Sequence, residues 1–461
     1  MRGARGLPGR GALSKRDWTQ GSIIGNLWSL YWPMLISNSL TTLGPFIDLF
    51  WVSKLGAASI AGVGVSGIAV TVVNSLAQGL FTGTSAMCAR FVGAGDEQTA
   101  NRTAQQAFVI GIAYSIIMAI VGIFLAEQIL TSLGVAKEVV EQGAAYMRVQ
   151  FIGMVTMSSV TVAQSIMNAS GDSRTPMKIN LGYRIFHVMF CPFLVFGWWI
   201  FPNLGVRGAA LSNVISQGLG GSVALWILFT GRTRLQVTLK NFRFDRSIIW
   251  RTLKIGIPAS ITSVERSFSD LVMVKFIIPF GTFAVAAHSV SQRIDQLVQM
   301  PCGGIGTASG VLAGQNLGAG KPERASRGGW IAAGFATCFT VAASILIWFW
   351  IEPFITFYAN ANSDVVQFAS AFLRIQILGY ITWGAVISLS MCLNGVGDTM
   401  ITMVTNLTAM WGVAIVLAYI LSQHTSLGIY GIRWAMVIGI SARAIIYTIY
   451  FKLGWWQRKK V

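Results

Sequence analysis

Charged side chains are scarce in this chain. Only 11% of its 461 residues are Asp, Glu, Lys or Arg, against about 25% in a soluble globular protein. Acids are the rarer sign, 16 against 34 basic residues. That poverty excludes a soluble enzyme and a soluble nucleic-acid-binding protein. Five cysteines, an odd number without any CxxC spacing, exclude a secreted disulfide scaffold. They lie in apolar stretches and read as small buried hydrophobes. The three histidines show no metal-ligand spacing, so no metal site is expected. Residues 1–20 lack an apolar core, and no cleaved signal peptide is expected. GxSxG and HExxH are missing, and no intramembrane enzyme is indicated. No nucleotide-binding domain is expected either. Gly93-Ala94-Gly95 and Gly318-Ala319-Gly320 carry no following GK[ST].

What is abundant is hydrophobic: 54% of the residues. A spanning helix needs ~20 predominantly apolar residues. Hydropathy gives spans near 28–52, 59–88, 104–130, 143–167, 177–201, 207–230, 251–278, 284–314, 329–352, 365–393, 400–422 and 430–453. The expected fold is an all-α membrane protein of twelve transmembrane helices. Its net charge of +18 gathers between these stretches and at the ends. Segment 232–254 carries Arg232, Arg234, Lys240, Arg243, Arg246, Arg251 and Lys254 against Asp245 alone. The tails carry Arg2, Arg5, Arg10, Lys15, Arg16, Lys452, Arg458, Lys459 and Lys460. This is the positive-inside pattern, and it puts both termini in the cytoplasm of a multi-pass plasma-membrane protein. Trp198, Trp199, Trp348, Trp350, Trp455 and Trp456 fall at span ends, as an aromatic belt requires.

The chain also repeats itself. Pro33 matches Pro258, Gly56 matches Gly281, and Gly93-Ala94-Gly95 matches Gly318-Ala319-Gly320, each 225 residues on. Arg148-Val149-Gln150 matches Arg374-Ile375-Gln376, and Asn168, Gly171 and Asp172 match Asn394, Gly397 and Asp398, each 226 on. Two six-helix lobes of like orientation follow, pseudo-symmetric about the membrane normal. The expected organisation is a tail 1–27, an N-lobe 28–230, a cytoplasmic linker 231–250, a C-lobe 251–453 and a tail 454–461. Paired lobes with a site between them are transporter architecture working by alternating access. A monomer suffices, embedded in lipid with no nucleic-acid partner.

Acids inside spans are expensive, by roughly 2.5–3.5 kcal/mol, so each one weighs. Asp48 ends a first span interrupted by Pro33, Gly44 and Pro45, a helix-1 hinge that could bend as the acid gains or loses a proton. The alternative is an Asp solvated at the interface. In the fifth span Arg184, His187 and Cys191 share one face, with Asn180 a turn earlier. Either Arg184 and His187 serve Asp48 as counter-ion and proton relay, or Arg184 meets a backbone carbonyl and His187 is packing. Asn213 joins the candidate N-lobe polar site. The C-lobe offers Glu265, Asp270 and Asp295. Glu265 and Asp270 are five apart, about 140° around a helix, and are not expected to share a face. They read as internal ion pairs or as a second site. No organic cofactor is expected; the energy source is an ion gradient.

Three stretches are similar to a known family. Residues 286–325 (AAHSVSQRIDQLVQMPCGGIGTASGVLAGQNLGAGKPERA), 168–177 (NASGDSRTPM) and 205–216 (GVRGAALSNVIS) resemble multidrug and toxic compound extrusion (MATE) transporters, in their archaeal and DinF-like branch. The resemblance implies an antiporter exporting organic, often cationic, compounds against H⁺ or Na⁺. It implies coupling at Pro33 and Asp48, and puts the family's fifth-span polar pair on His187 and Cys191. The second carboxylate of that pair is missing here. The family's other branch couples through seventh- and tenth-span acids. Glu265 falls one residue from that position, and 365–393 holds no acid. H⁺ is therefore the expected coupling ion, with Na⁺ as the alternative. A lipid-linked oligosaccharide flippase is the competing function, favoured if Arg184, Arg266 and Lys275 face the cleft.

Overall fold

In lipid every backbone polar group must be satisfied within the chain, so a spanning chain of this composition folds as helices. The computed structural model describes residues 17–238, 242–359 and 363–459. Arg2, Arg5, Arg10, Lys15, Arg16, Lys240 and Lys460, counted above among the basic groups, lie outside them.

The helices are α1 (Ile23–Thr42), α2 (Gly44–Val52), α3 (Ala57–Ala94), α4 (Glu97–Ser132), α5 (Lys137–Ile152), α6 (Met154–Ser170), α7 (Arg174–Phe196) and α8 (Gly205–Phe229) in the first half. The second half holds α9 (Arg246–Ile277), α10 (Thr282–Gly318), α11 (Pro322–Ala359), α12 (Ser363–Gly395), α13 (Thr399–Leu407), α14 (Ile415–Gln423) and α15 (Ile429–Leu453). No strand occurs among the described residues. Pairs α1–α2, α5–α6 and α13–α14 each make one span, which gives twelve crossings in two lobes of six.

Eight helices pass a test of length and apolarity alone, and the bent pair α5–α6 makes a ninth. The first, seventh and eighth spans fall short because they carry polar groups such as Asp48, Glu265, Asp270 and Asp295. Helix starts follow their caps. Asp96 accepts the Thr99 amide at 3.0 Å, and Asp245 accepts those of Ser247 and Ile248 at 3.0 and 3.1 Å. Gly171 and Gly397, repeat-related, end α6 and α12 at φ +91° and +89°, a conformation that favours glycine.

Three spans differ from the straight helices expected. Pro33 sits inside a continuous α1, whereas the first span breaks at Leu43, where Pro45 starts a new helix with no amide to give to the old one. The fourth span bends by 48° between α5 and α6. The break is at Gly153, which packs against Val214 with no room for a Cβ. The eleventh passes through a π-helical turn, Thr408–Ala414.

Each lobe has its own core. Phe81, Ala104, Met147, Val162 and Ile166 belong to the N-lobe's, and Met273, Ile294, Ile347, Phe372 and Ile432 to the C-lobe's. The outer faces stay apolar, with Phe124, Ile117, Ile120 and Phe349 exposed as a lipid-facing surface. Trp198, Trp199, Trp348, Trp350 and Trp455 are exposed as a belt requires. Trp456 departs from that reading. It is fully buried, stacked on Phe451 with ring centres 4.7 Å apart. Cys338 departs as well, being exposed on α11 while the other four cysteines are buried.

The lobes meet around a reciprocal contact. Gly93 on α3 lies against the Gln315 backbone, and Gly318 on α10 lies against the Arg90 backbone. These four positions are related by the 225-residue repeat, so the two contacts are images of each other. Gly79 against Ser260 and Gly83 against Thr252 continue the seam between α3 and α9. The chain ends cover the same side. Lys321 Nζ donates to Thr19 O at 3.0 Å, Arg324 to Gly21 O at 2.7 Å and Arg90 to Lys459 O at 2.7 Å.

Candidate functional site

The break after α1 places Asp48 one helical turn into α2. Its carboxylate is fully buried in the N-lobe rather than solvated at the interface. Oδ2 accepts the Tyr146 hydroxyl at 2.7 Å, and the Asn213 amide stands at 3.5 Å. Gln150 Nε2 in turn donates to the Tyr146 oxygen at 2.9 Å. Oδ1 lies 3.0 Å from His187 Nε2. The ring N–H is not aligned on it, so both atoms lack a formal hydrogen-bond partner. The pair is held by proximity and charge.

Arg184 does not reach Asp48. Its guanidinium sits 3.0 Å from His187 Nδ1 and donates to Thr41 O at 3.4 Å. Arginine has no acceptor. Nδ1 must therefore carry the lone pair and Nε2 the proton, the tautomer that faces Asp48. Both alternatives for this face thus hold in part: Arg184 meets a backbone carbonyl, and it also orients the histidine. Gly44 is the residue that admits it, since a Cβ there would stand 2.6–3.0 Å from the guanidinium. Asn180 ties α7 to α1 by donating to Ser37 Oγ, and accepts from Gln164.

Cys191 completes a buried trio. Its Sγ, His187 nitrogen and an Asp48 oxygen all lie within 4.8 Å of one another. Those are donors for a borderline-soft divalent ion. Spacing along the chain could not show this, because Asp48 comes from another helix.

The C-lobe repeats the chemistry at unrelated positions. Asp295 on α10 accepts the Tyr380 hydroxyl and lies 3.5 Å from Arg433 NH1. Arg433 NH2 stands 2.9 Å from His288 Nδ1. The repeat partners of these residues in the N-lobe are not Asp48, His187, Arg184 or Tyr146. Glu265, Asp270 and Asp295 line one cavity of about 300 Å³. The expectation that Glu265 and Asp270 lie on separate faces is overtaken because this cavity wraps around α9.

Tyr146, Arg433 and Tyr380 were not singled out by the sequence. The repeat did mark Gln150 and Gln376, one beside Tyr146 and the other on the cavity wall.

Two helical lobes, each with polar groups buried at mid-span, define a secondary-transporter architecture. A family model, MatE, matches residues 33–193 and again residues 258–420. The two matches begin 225 residues apart, one in each lobe. The chain belongs to the MatE family; it is a transporter of the multidrug-efflux class and not an enzyme. Among its relatives is "Probable multidrug resistance protein YoeA" of Bacillus subtilis, 24% identical over 93% of both chains. Another is "Probable multidrug resistance protein NorM" of Thermotoga maritima, 23% identical over 93% of this chain and 92% of that one. The fold matches a MATE crystal structure in the bent conformation with a TM-score of 0.89, 24% identity and coverage of 95% and 96%. It matches a MOP superfamily transporter from Pyrococcus furiosus with a TM-score of 0.90, 23% identity and coverage of 98% and 100%.

Proposed function

We propose that the protein exports organic compounds bearing a cationic group in exchange for H⁺, by alternating access of its two lobes. It acts as a monomer in the plasma membrane with both ends cytoplasmic, and its N-lobe site aligns it with the archaeal and DinF-like branch. The observation that carries this reading is the fully buried Asp48–His187 pair across the α1–α2 break. A proton added at Oδ1 meets the Nε2–H of His187, whose other nitrogen is held by Arg184. Attraction between α2 and α7 is then lost, and the break at Leu43 leaves α2 free to swing. Donors also decide the ion. A nitrogen and a sulfur beside the carboxylate suit a proton better than Na⁺, a hard cation that takes oxygen ligands.

The flippase reading loses support at its basic residues. Arg184 is engaged by His187 and Thr41, and Lys275 is not on the cavity lining.

The test uses proteoliposomes loaded with a fluorescent amine. A pH gradient and a Na⁺ gradient are imposed separately on the native protein and on Asp48→Asn. Efflux driven by the pH gradient and abolished in Asp48→Asn is expected. Full driven efflux in Asp48→Asn, or efflux under the Na⁺ gradient alone, overturns the reading.

A further inference from the structure

The cavity in the C-lobe is separate from the proton site. About 300 Å³ lies between α9, α10, α12, α13 and α15, at the lower edge of ordinary ligand pockets. Its wall is polar for a space within a membrane protein. Glu265, Asp270 and Asp295 face it, and so do Arg266 and Arg443. Asp295 is committed to Arg433 behind the wall. That leaves two carboxylates and two guanidiniums. No ion pair within 4.0 Å closes Glu265 or Asp270 among the described residues.

Three buried polar atoms of lining residues lack partners: the Trp383 Nε1 donor, the Gln376 Oε1 acceptor and Arg443 Nε. Trp383 and Gln376 are only 8% and 3% exposed. An unmade bond at a buried polar group costs ~1–3 kcal/mol. Donors and acceptors left open together on one wall mark a place where a ligand completes them.

Trp383 is the one aromatic side chain on the described lining. Arg266 and Arg443 already lie over its ring, at 5.7 and 5.9 Å from the centroid. A lipophilic cation seeking an aromatic face would find it taken by the protein's own cations. It would also bury two guanidiniums against apolar groups, which is unfavourable. A simple anion would leave Glu265 and Asp270 uncompensated.

We propose that this cavity is the substrate site and that it takes a small zwitterion, an ammonium and a carboxylate on a hydrogen-bonding frame. The ammonium faces Asp270 and Glu265. The carboxylate faces Arg266 and Arg443. Gln376 and the Trp383 N–H bond the frame between them. The inference rests on the export reading for the cycle the substrate enters, and on this cavity for its chemistry.

The test is calorimetric titration of the full chain in nanodiscs at neutral pH, with no gradient. The probes are glycyl-phenylalanine, its C-terminal amide, its N-acetyl derivative and tetraphenylphosphonium. The dipeptide is expected to bind, and removing either of its charges to weaken binding at least tenfold. Asp270→Asn and Arg266→Gln are each expected to weaken the dipeptide by a similar factor. Both residues are exposed to the cavity, which leaves the cores intact. The comparison among probes on the native protein needs no variant. Absence of dipeptide binding, equal binding of the amide, or binding of tetraphenylphosphonium alone overturns the proposal. None of these results bears on ion coupling, which the gradient experiment reads through Asp48.

Discussion

The hydroxyl of Tyr146, on α5, donates to the carboxylate of Asp48, on α2, at 2.7 Å. It is the one aligned short hydrogen bond on that buried acid, and it comes from a helix bent away from its own continuation. The proton site therefore senses three spans at once: the first through Asp48, the fourth through Tyr146 and the fifth through His187.

Tyr146→Phe keeps the ring and removes that bond. A hydrogen bond to a charged group is worth ~1.5–3 kcal/mol, and Gln150 loses its acceptor at the same time. Melting in nanodiscs should show lower stability by about that amount. Driven efflux should fall severalfold while substrate binding stays unchanged. Unaltered efflux would remove Tyr146 from the coupling step.

Gly44→Ala tests the orienting role of Arg184. The new methyl would stand 2.6–3.0 Å from the guanidinium, in a space where Arg184 is only 4% exposed. Crowding a packed interior costs ~1–3 kcal/mol. Loss of proton-coupled efflux is expected, with partial recovery in Gly44→Ala/Arg184→Ala, where the room returns. A single variant with native coupling would show that Arg184 does not hold the His187 tautomer.

Arg433→Met examines the C-lobe cluster. Removing one member of a buried ion pair costs ~3–5 kcal/mol, because the other charge stays behind. Asp295 would be left with Tyr380 alone. Combining Arg433→Met with Asp295→Asn should restore part of that loss. Simple additivity in the double-mutant cycle would mean that the two charges are not coupled.

Much of the N-lobe site was legible because acids are so few. Asp48 stood out as a lone deep carboxylate. Arg184, His187 and Cys191 stood out as one helix face, and the structure brings that face to Asp48. Tyr146 was invisible because its orientation depends on the bend at Gly153, which is set by packing against Val214. The partnership of Asp295 with Arg433 joins α10 to α15, and no periodicity within one helix reports such a pairing. The hinge was read from its prolines, yet only Pro45 breaks the helix. Proline disrupts where its neighbours cannot rescue the freed carbonyl, and a sequence does not show the neighbours.

The seam between the lobes carries the last prediction. A Cβ on Gly93 would stand 2.7 Å from the Gln315 Cα and carbonyl carbon, and one on Gly318 would stand 2.8 Å from the Arg90 carbonyl carbon. Backbone cannot rotate aside as a side-chain tip can. Gly93→Ala must therefore push α3 from α10 in the arrangement where the lobes touch. An arrangement in which they part here carries no such penalty. Each 1.4 kcal/mol added to one arrangement moves the populations tenfold, so the methyl biases the protein toward parted lobes at the side that holds the chain ends. Thr252, 1% exposed beside Gly83, reports this. With exposed Cys338 first replaced by Ser, Thr252→Cys should react with an impermeant maleimide several times faster when Gly93→Ala is added. Gly67→Ala, also on α3 but with nothing within 4 Å of its new Cβ, should leave the rate unchanged. Equal acceleration by both would mean that the methyl loosens α3 itself, and that the reciprocal glycine contact does not set the closed state.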